Sequence, residues 1–331
     1  MRIVALEEHF QVPDLIDRIG KDRAESRGWP DPGANPEAAR RDELADVGER
    51  RLADMAAAGV TVQVLSASGP GADLLPPHAG PDLARAYNDQ LKRIVNDQPD
   101  RFAGFAHLPM TAPEAAADEL ERAVRDLGFS GALINGLTED RFLDDPLFDP
   151  ILARAEALDV PLYLHPNVPP QAVRNAYYGG LPGPLPHLLA TAGFGWHAET
   201  AIHVLRLVLS GTLDRHPGLK LIIGHMGEML PMMLGRADHV FAKAIEKQSD
   251  RTVSQTILDQ VWITTSGFFS LAPFTAAMMT FGADRILFSV DYPFSPNKPG
   301  TDFLRRLPVS PADLEKIAHG NADRLLKLKE R

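Results

Sequence analysis

The chain has no cysteine among its 331 residues. Disulfides and thiolate metal sites are therefore impossible, a composition that suits a reducing compartment. No run of about 18 apolar residues occurs, so no membrane-spanning helix is expected. Basic residues are in the minority, with 34 Lys and Arg against 44 Asp and Glu and a net charge of −10. That balance argues against a nucleic-acid partner and for plain solubility. Neither a G-x-G-x-x-G turn nor a P-loop is present, which removes the usual nucleotide-phosphate cradles, and Gly69-Pro-Gly71 reads as a simple turn. Internal repeats and linker-like stretches are also missing. Met1 leads straight into an apolar stretch, without the basic segment and cleavage site of a signal peptide, so a cytoplasmic protein is expected.

What is present is a rhythm of short apolar runs. Eight read as strands: Ile3–Leu6, Val60–Ser66, Phe102–Leu108, Ala132–Asn135, Val160–His165, Leu219–Ile223, Val261–Thr265 and Ile286–Val290. Most are continuously apolar, as parallel strands buried on both faces are. Segments of helical spacing lie between them: Glu49–Ala58, Pro81–Asn96, Phe148–Leu158, Glu199–Ser210, Glu228–Glu246 and Phe274–Phe281. Thr111-Ala-Pro-Glu114 resembles a capping box opening a helix that runs to about Leu127. Pro311–Ile317 and Asn321–Lys329 close the chain as helices. The alternation predicts a single α/β domain over residues 1–331, a (β/α)8 TIM barrel, with a doubly wound sheet as the rival. Three connections exceed what a barrel needs: Gln11–Asp46 with its Gly28-Trp-Pro-Asp-Pro-Gly33, Ala67–Gly80, and the Pro- and Gly-rich Asn167–His197. All come after strands, so all belong on the face where barrel active sites lie.

Metal-ligand residue types gather at strand ends. Glu7 and His9 come after the first strand, and strand alternation puts them on one side with Glu8 on the other. Alone, Glu-Glu-His also reads as a surface turn. His165 ends the fifth strand, His225 and Glu228 lie just past the sixth, and Asp291 lies just past the eighth. A barrel brings such positions together. Glu7, His9, His165 and Asp291 make a two-nitrogen, two-oxygen site suited to one Zn2+ or Mn2+ ion. Ile134-Asn-Gly136 supplies no lysine to bridge a second metal. His225 reads as a fifth ligand or an acid/base, and Glu228 as its carboxylate partner or as a charge at a helix start. Arg236, two turns along that helix, reads as an anion contact or a surface residue. His107 reads as a candidate pocket residue, while His197 and His203 read as satisfied core residues.

Ala5-Leu-Glu-Glu-His-Phe10, Leu164-His-Pro166, Gly224-His-Met-Gly-Glu228, Thr264-Thr-Ser-Gly267 and Asp284-Arg-Ile-Leu-Phe-Ser-Val-Asp-Tyr-Pro-Phe294 resemble the amidohydrolase-related family. The resemblance is strongest to its γ-resorcylate and 2,3-dihydroxybenzoate decarboxylases, near the aminocarboxymuconate-semialdehyde decarboxylase group. It implies a barrel with one metal on Glu7, His9, His165 and Asp291. It also implies roles for His225 and Glu228, either catalytic or in support of the metal ligands, and substrate binding by Arg236; Asp291 is the candidate proton donor, and Tyr292 and Phe294 are candidate substrate contacts. Tyr292 departs from the Trp usual there. The expected activity is non-oxidative decarboxylation of a hydroxylated aromatic acid, with hydrolysis of a lactone, amide or ester as the alternative. The expected partner is a small anionic aromatic substrate, with no nucleic acid and no membrane, in a homodimer or homotetramer.

Overall fold

β-branched and apolar runs build a parallel barrel in the computed structural model, which describes residues 1–29 and 40–328. Pro30–Gly33 of the Gly28–Gly33 motif and the last residue of the predicted C-terminal helix lie outside the described residues. The strands are β1 (Val4–Phe10), β2 (Val62–Ala67), β3 (Phe102–Gly104), β4 (Ala106–His107), β5 (Ala132–Asn135), β6 (Pro161–His165), β7 (Lys220–Ile223), β8 (Val261–Thr264) and β9 (Ile286–Leu287). All pair in parallel with their chain neighbours, β1 to β3 in one ladder and β4 to β9 in another.

Two seams join the ladders. The predicted strand Phe102–Leu108 breaks at Phe105, because its first half pairs with β2 and its second with β5. The Phe105 N–H donates to Leu65 O at 2.9 Å and keeps the halves in line. The nine segments thus fill eight barrel positions. The predicted strand to Val290 stops at Leu287, since the Phe288 N–H turns to Ile317 O at 3.0 Å. Here β1 meets the end of the chain differently: His9 N donates to Tyr292 O at 2.7 Å, and the Glu8 carboxylate accepts from the Val290 and Tyr292 amides.

Val4, Leu6, Val62, Val64, Phe105, Leu133, Tyr163, Ile222 and Leu287 fill the barrel interior, and Leu325 and Leu326 pack against them. Alternate residues such as Ala5, Leu65, Ile134, Leu164 and Ile223 face the surrounding helices. β1 is longer than predicted, running on through Glu7, Glu8 and His9. Its register slips between Ala5 and Glu8, so two residues, Leu6 and Glu7, stand opposite Val64. This bulge lets Leu6 and Glu7 both face inward and re-aims Glu8 and His9. Without it, alternation from Leu6 would turn Glu8 inward and send Glu7 and His9 out.

Several helix expectations need correction. Thr111 caps nothing: its hydroxyl donates to Leu75 O at 2.6 Å, and the helix Pro113–Arg125 starts without a side-chain cap. The capping box is instead Thr252 with Gln255, opening Val253–Gln260. The helix predicted from Glu199 begins at Gly195. The helix predicted from Glu228 begins only at Leu234, because Met226, Gly227, Glu228 and Met229 all take positive φ. Glu228 and Arg236 therefore do not share a helix. No helix among the described residues is long and apolar enough to cross a membrane.

Candidate metal centre

The inward turn of β1 buries Glu7 and His9 completely or nearly so, at 0% and 1% exposure. Such burial of a carboxylate needs partners. Glu7 Oε2 accepts from the hydroxyls of Tyr163 on β6 and Ser266 beyond β8. Those bonds leave Glu7 Oε1 turned the other way, buried and without a hydrogen-bond partner among the described residues, and His9 Nε2 is in the same condition. Ligand atoms of Glu7, His9 and His165 lie within 4.8 Å of one another. His165 Nε2 is 3.4 Å from Glu7 Oε1, and Asp291 Oδ1 is 3.3 Å from His9 Nε2. For bonds of about 2.1 Å, adjacent donors around a tetrahedral or octahedral ion stand roughly 3.0 to 3.4 Å apart. Two orphaned buried atoms and these spacings fit a divalent cation among the four side chains.

The tautomers agree. His165 Nδ1 donates to Pro166 O at 2.7 Å, which leaves Nε2 as a lone pair toward the cluster. Burial pushes His9 and His165 down to about 4, so both rings stay neutral near pH 7. Burial alone would raise Glu7, but His225, His165 and His9 together hold its carboxyl below the usual range. Asp291 sits at φ +71°, a left-handed conformation imposed on a non-glycine residue.

A second cluster adjoins the first. His225 Nδ1 donates to Glu228 Oε1 at 2.7 Å, and His197 Nδ1 donates to Glu228 Oε2 at 2.6 Å. His225 Nε2 then faces Glu7 Oε1 at 3.8 Å and Asp291 Oδ2 at 4.0 Å. Burial works against a charge on His225, yet Glu228 and then Glu7 hold it up at about 10. Burial likewise opposes charge on Glu228, and His225 and His197 outweigh it, holding the carboxyl down at about 2. The His225 imidazole, paired with a carboxylate, thus points its outer nitrogen at the space beside the four side chains.

An amidohydrolase family model matches residues 9–328. The chain belongs to the amidohydrolase family. Decarboxylase orsB of Emericella nidulans is 38% identical over 335 residues, covering 98% of this chain and 97% of that one. A γ-resorcylate decarboxylase of Polaromonas sp. is 39% identical over 338 residues, covering 98% of each. The structure of a dihydroxybenzoic acid decarboxylase from Polaromonas sp., with bound manganese and the inhibitor 2-nitroresorcinol, superimposes with a TM-score of 0.88. It is 36% identical over 100% of this chain and 98% of that one.

Not every predicted site residue of this amidohydrolase chain converges. Glu7, His9, His165, Asp291, His225 and Glu228 do. Phe294 stands edge-on to His9, ring centroids 5.6 Å apart, and borders the cluster. Tyr292 departs from expectation: its ring lies beneath the Arg51 guanidinium, 4.8 Å away, among the outer core side chains. Only its backbone serves the site. Arg236 also departs, standing exposed on the helix Leu234–Ile245. His203 is a core residue as expected, and its Nε2 accepts the Leu143 N–H at 2.8 Å. Two residues were missed. His197 is no passive core ring, and Trp196 stands 6.3 Å from His165 with its indole N–H buried and without a partner among the described residues. Starting the helix at Glu199 hid both, and no spacing links His197 to Glu228 across 31 positions.

Proposed function

We propose that this chain is a metal-dependent, non-oxidative decarboxylase of a hydroxylated aromatic carboxylic acid. The observation that carries the reading is the pair of buried atoms without a hydrogen-bond partner among the described residues, Glu7 Oε1 and His9 Nε2, facing His165 and Asp291 beside the His225 imidazole. Near-full-length likeness to decarboxylases of dihydroxybenzoates supports it. Glu7, His9, His165 and Asp291 would hold one Zn2+ or Mn2+ ion. Such an ion supplies a Lewis acid and a template for a carboxylate and a neighbouring ring oxygen.

The chain's own residues handle the proton. The reaction forms a C–H bond at the ring carbon that carries the carboxylate. The C–C bond then breaks, its electron pair returns to the ring, and CO2 departs. His225, paired with Glu228, keeps a proton at Nε2, 4.0 Å from Asp291 Oδ2. Asp291 is the donor in this proposal and the His225–Glu228 pair is its supply. Phe294 forms a wall of the pocket. Arg236 is proposed as an anion contact only in an assembly where a second copy covers the exposed Met232 and Met233 beside it. A cytoplasmic homodimer or homotetramer belongs to the same proposal.

Metal-loaded protein incubated with a panel of hydroxybenzoates tests the function. Release of CO2, and carboxylation of the phenol in bicarbonate, supports it. A ring-opened product carrying added water, from a lactone or amide, would replace it with a hydrolase.

A further inference from the structure

We propose that His197 is a positioning residue. It orients Glu228, and through Glu228 the imidazole of His225, and it ties that pair to the connection over the barrel mouth. This rests on the decarboxylase reading for its kinetic consequence, though not for its geometry.

Glu228 is fully buried, at 0% exposure, and lies in a left-handed turn at φ +53° rather than in a helix. Its carboxylate offers two oxygens. One takes the His225 Nδ1–H, at 2.7 Å, and the other takes the His197 Nδ1–H, at 2.6 Å. A single hydrogen bond lets a carboxylate swing, whereas two donors on its two oxygens fix its plane. With the carboxylate fixed, the His225 ring is fixed too, and so is the direction of its Nε2.

His197 is itself held on all sides. It lies in the first turn of the helix Gly195–Leu209. Its ring stands edge-on to Phe268 at 5.2 Å and to His225 at 4.8 Å. Its Nε2 faces Ala192 O at 3.1 Å. That carbonyl belongs to a tight turn: a Cβ on Gly193 would come 2.5 Å from Leu188 O, and one on Gly195 would come 2.2 Å from Ala190 O. Both approaches are closer than any side chain tolerates, so glycine is what allows the turn to present Ala192 O there. The polar contacts of His197 are Glu228 and Ala192, and neither is one of the four metal-facing residues. Its removal should therefore disturb the proton supply and spare metal binding.

The test uses full-length metal-loaded enzyme, 2,6-dihydroxybenzoate, and the variants His197→Ala, His197→Asn and Glu228→Gln with the double variant. His197→Ala should lower kcat about 10- to 100-fold, the usual cost of losing an outer-layer partner, with metal content and KM little changed. His197→Asn, whose amide nitrogen stands where the His197 Nδ1 donor does, should recover most of the loss. In the Glu228→Gln background His197→Ala should cost less than about twofold, because the two act as one unit. An undiminished loss in that background, a loss that tracks metal content, or no loss at all would overturn the proposal. A readout free of turnover separates this from the reaction itself. The hydrogen-bonded Nδ1 proton of His225 should give a downfield resonance that moves or vanishes in His197→Ala. A resonance unchanged in that variant overturns the positioning role even if no hydroxybenzoate is decarboxylated.

Discussion

Glu8 braces Asp291 from both sides: its carboxylate accepts the Val290 N–H at 2.9 Å and the Tyr292 N–H at 3.1 Å. These bonds stand where a barrel ladder would otherwise close β9 on β1. They also hold Asp291 in its left-handed conformation. Glu8→Leu keeps the volume and removes both acceptors. Each backbone N–H left buried and unpaired costs about 1 to 3 kcal/mol. The variant should be destabilised in urea unfolding. Its Mn2+ affinity, measured by calorimetry, should fall about 10- to 100-fold through a loosened Asp291. Wild-type affinity in Glu8→Leu would mean that Asp291 needs no brace.

Trp196 carries a buried indole N–H, without a partner among the described residues, beside His165. A buried donor left unmatched beside His165 is suited to an oxygen of the substrate. Trp196→Phe keeps the ring and deletes the donor. KM for the accepted hydroxybenzoate should rise about 5- to 12-fold, the worth of one hydrogen bond of about 1 to 1.5 kcal/mol, with kcat nearly kept. An unchanged KM would take Trp196 out of substrate recognition.

His203 gives a pH prediction with a definite sign. Burial first, and the Arg206 charge second, push its ring down to about 3, while an unfolded histidine titrates near 6.5. Below pH 6.5 the unfolded chain therefore binds a proton that the folded chain refuses. The contribution of His203 is complete above pH 6.5 and shrinks as pH falls toward 3, by about 1.4 kcal/mol per pH unit. In His203→Gln the amide oxygen can still accept the Leu143 N–H, but nothing titrates. The stability advantage of wild type over the variant should narrow between pH 7 and pH 4 in urea titrations of the chelated proteins. A difference independent of pH would contradict the shift.

The barrel was legible because its strands are continuous apolar runs, and runs such as Ala132–Asn135 and Leu219–Ile223 fall on β5 and β7. The convergence of Glu7, His9, His165 and Asp291 came with the barrel, since strand ends meet at one mouth. The β1 bulge was not legible. Nothing in Leu6-Glu7-Glu8-His9 announces an extra residue, and the expected facing of Glu7 and His9 holds only because the bulge resets the alternation from Leu6. The turn from Met226 to Met229 was hidden for another reason. Four positive-φ residues, only one of them glycine, are stabilised by the buried His225–Glu228 and Glu228–His197 bonds rather than by local propensity. Tyr292 was misplaced because a side chain's facing after a strand end depends on the packing of Arg51 from a distant helix.

Residues from both ends and the middle of the chain are proposed to share one cation. An anomalous difference map from Mn2+-soaked crystals measures this directly. One peak per chain, bounded by Glu7, His9, His165 and Asp291, is the predicted result. A map with no peak there, or with the manganese bound elsewhere, would contradict it.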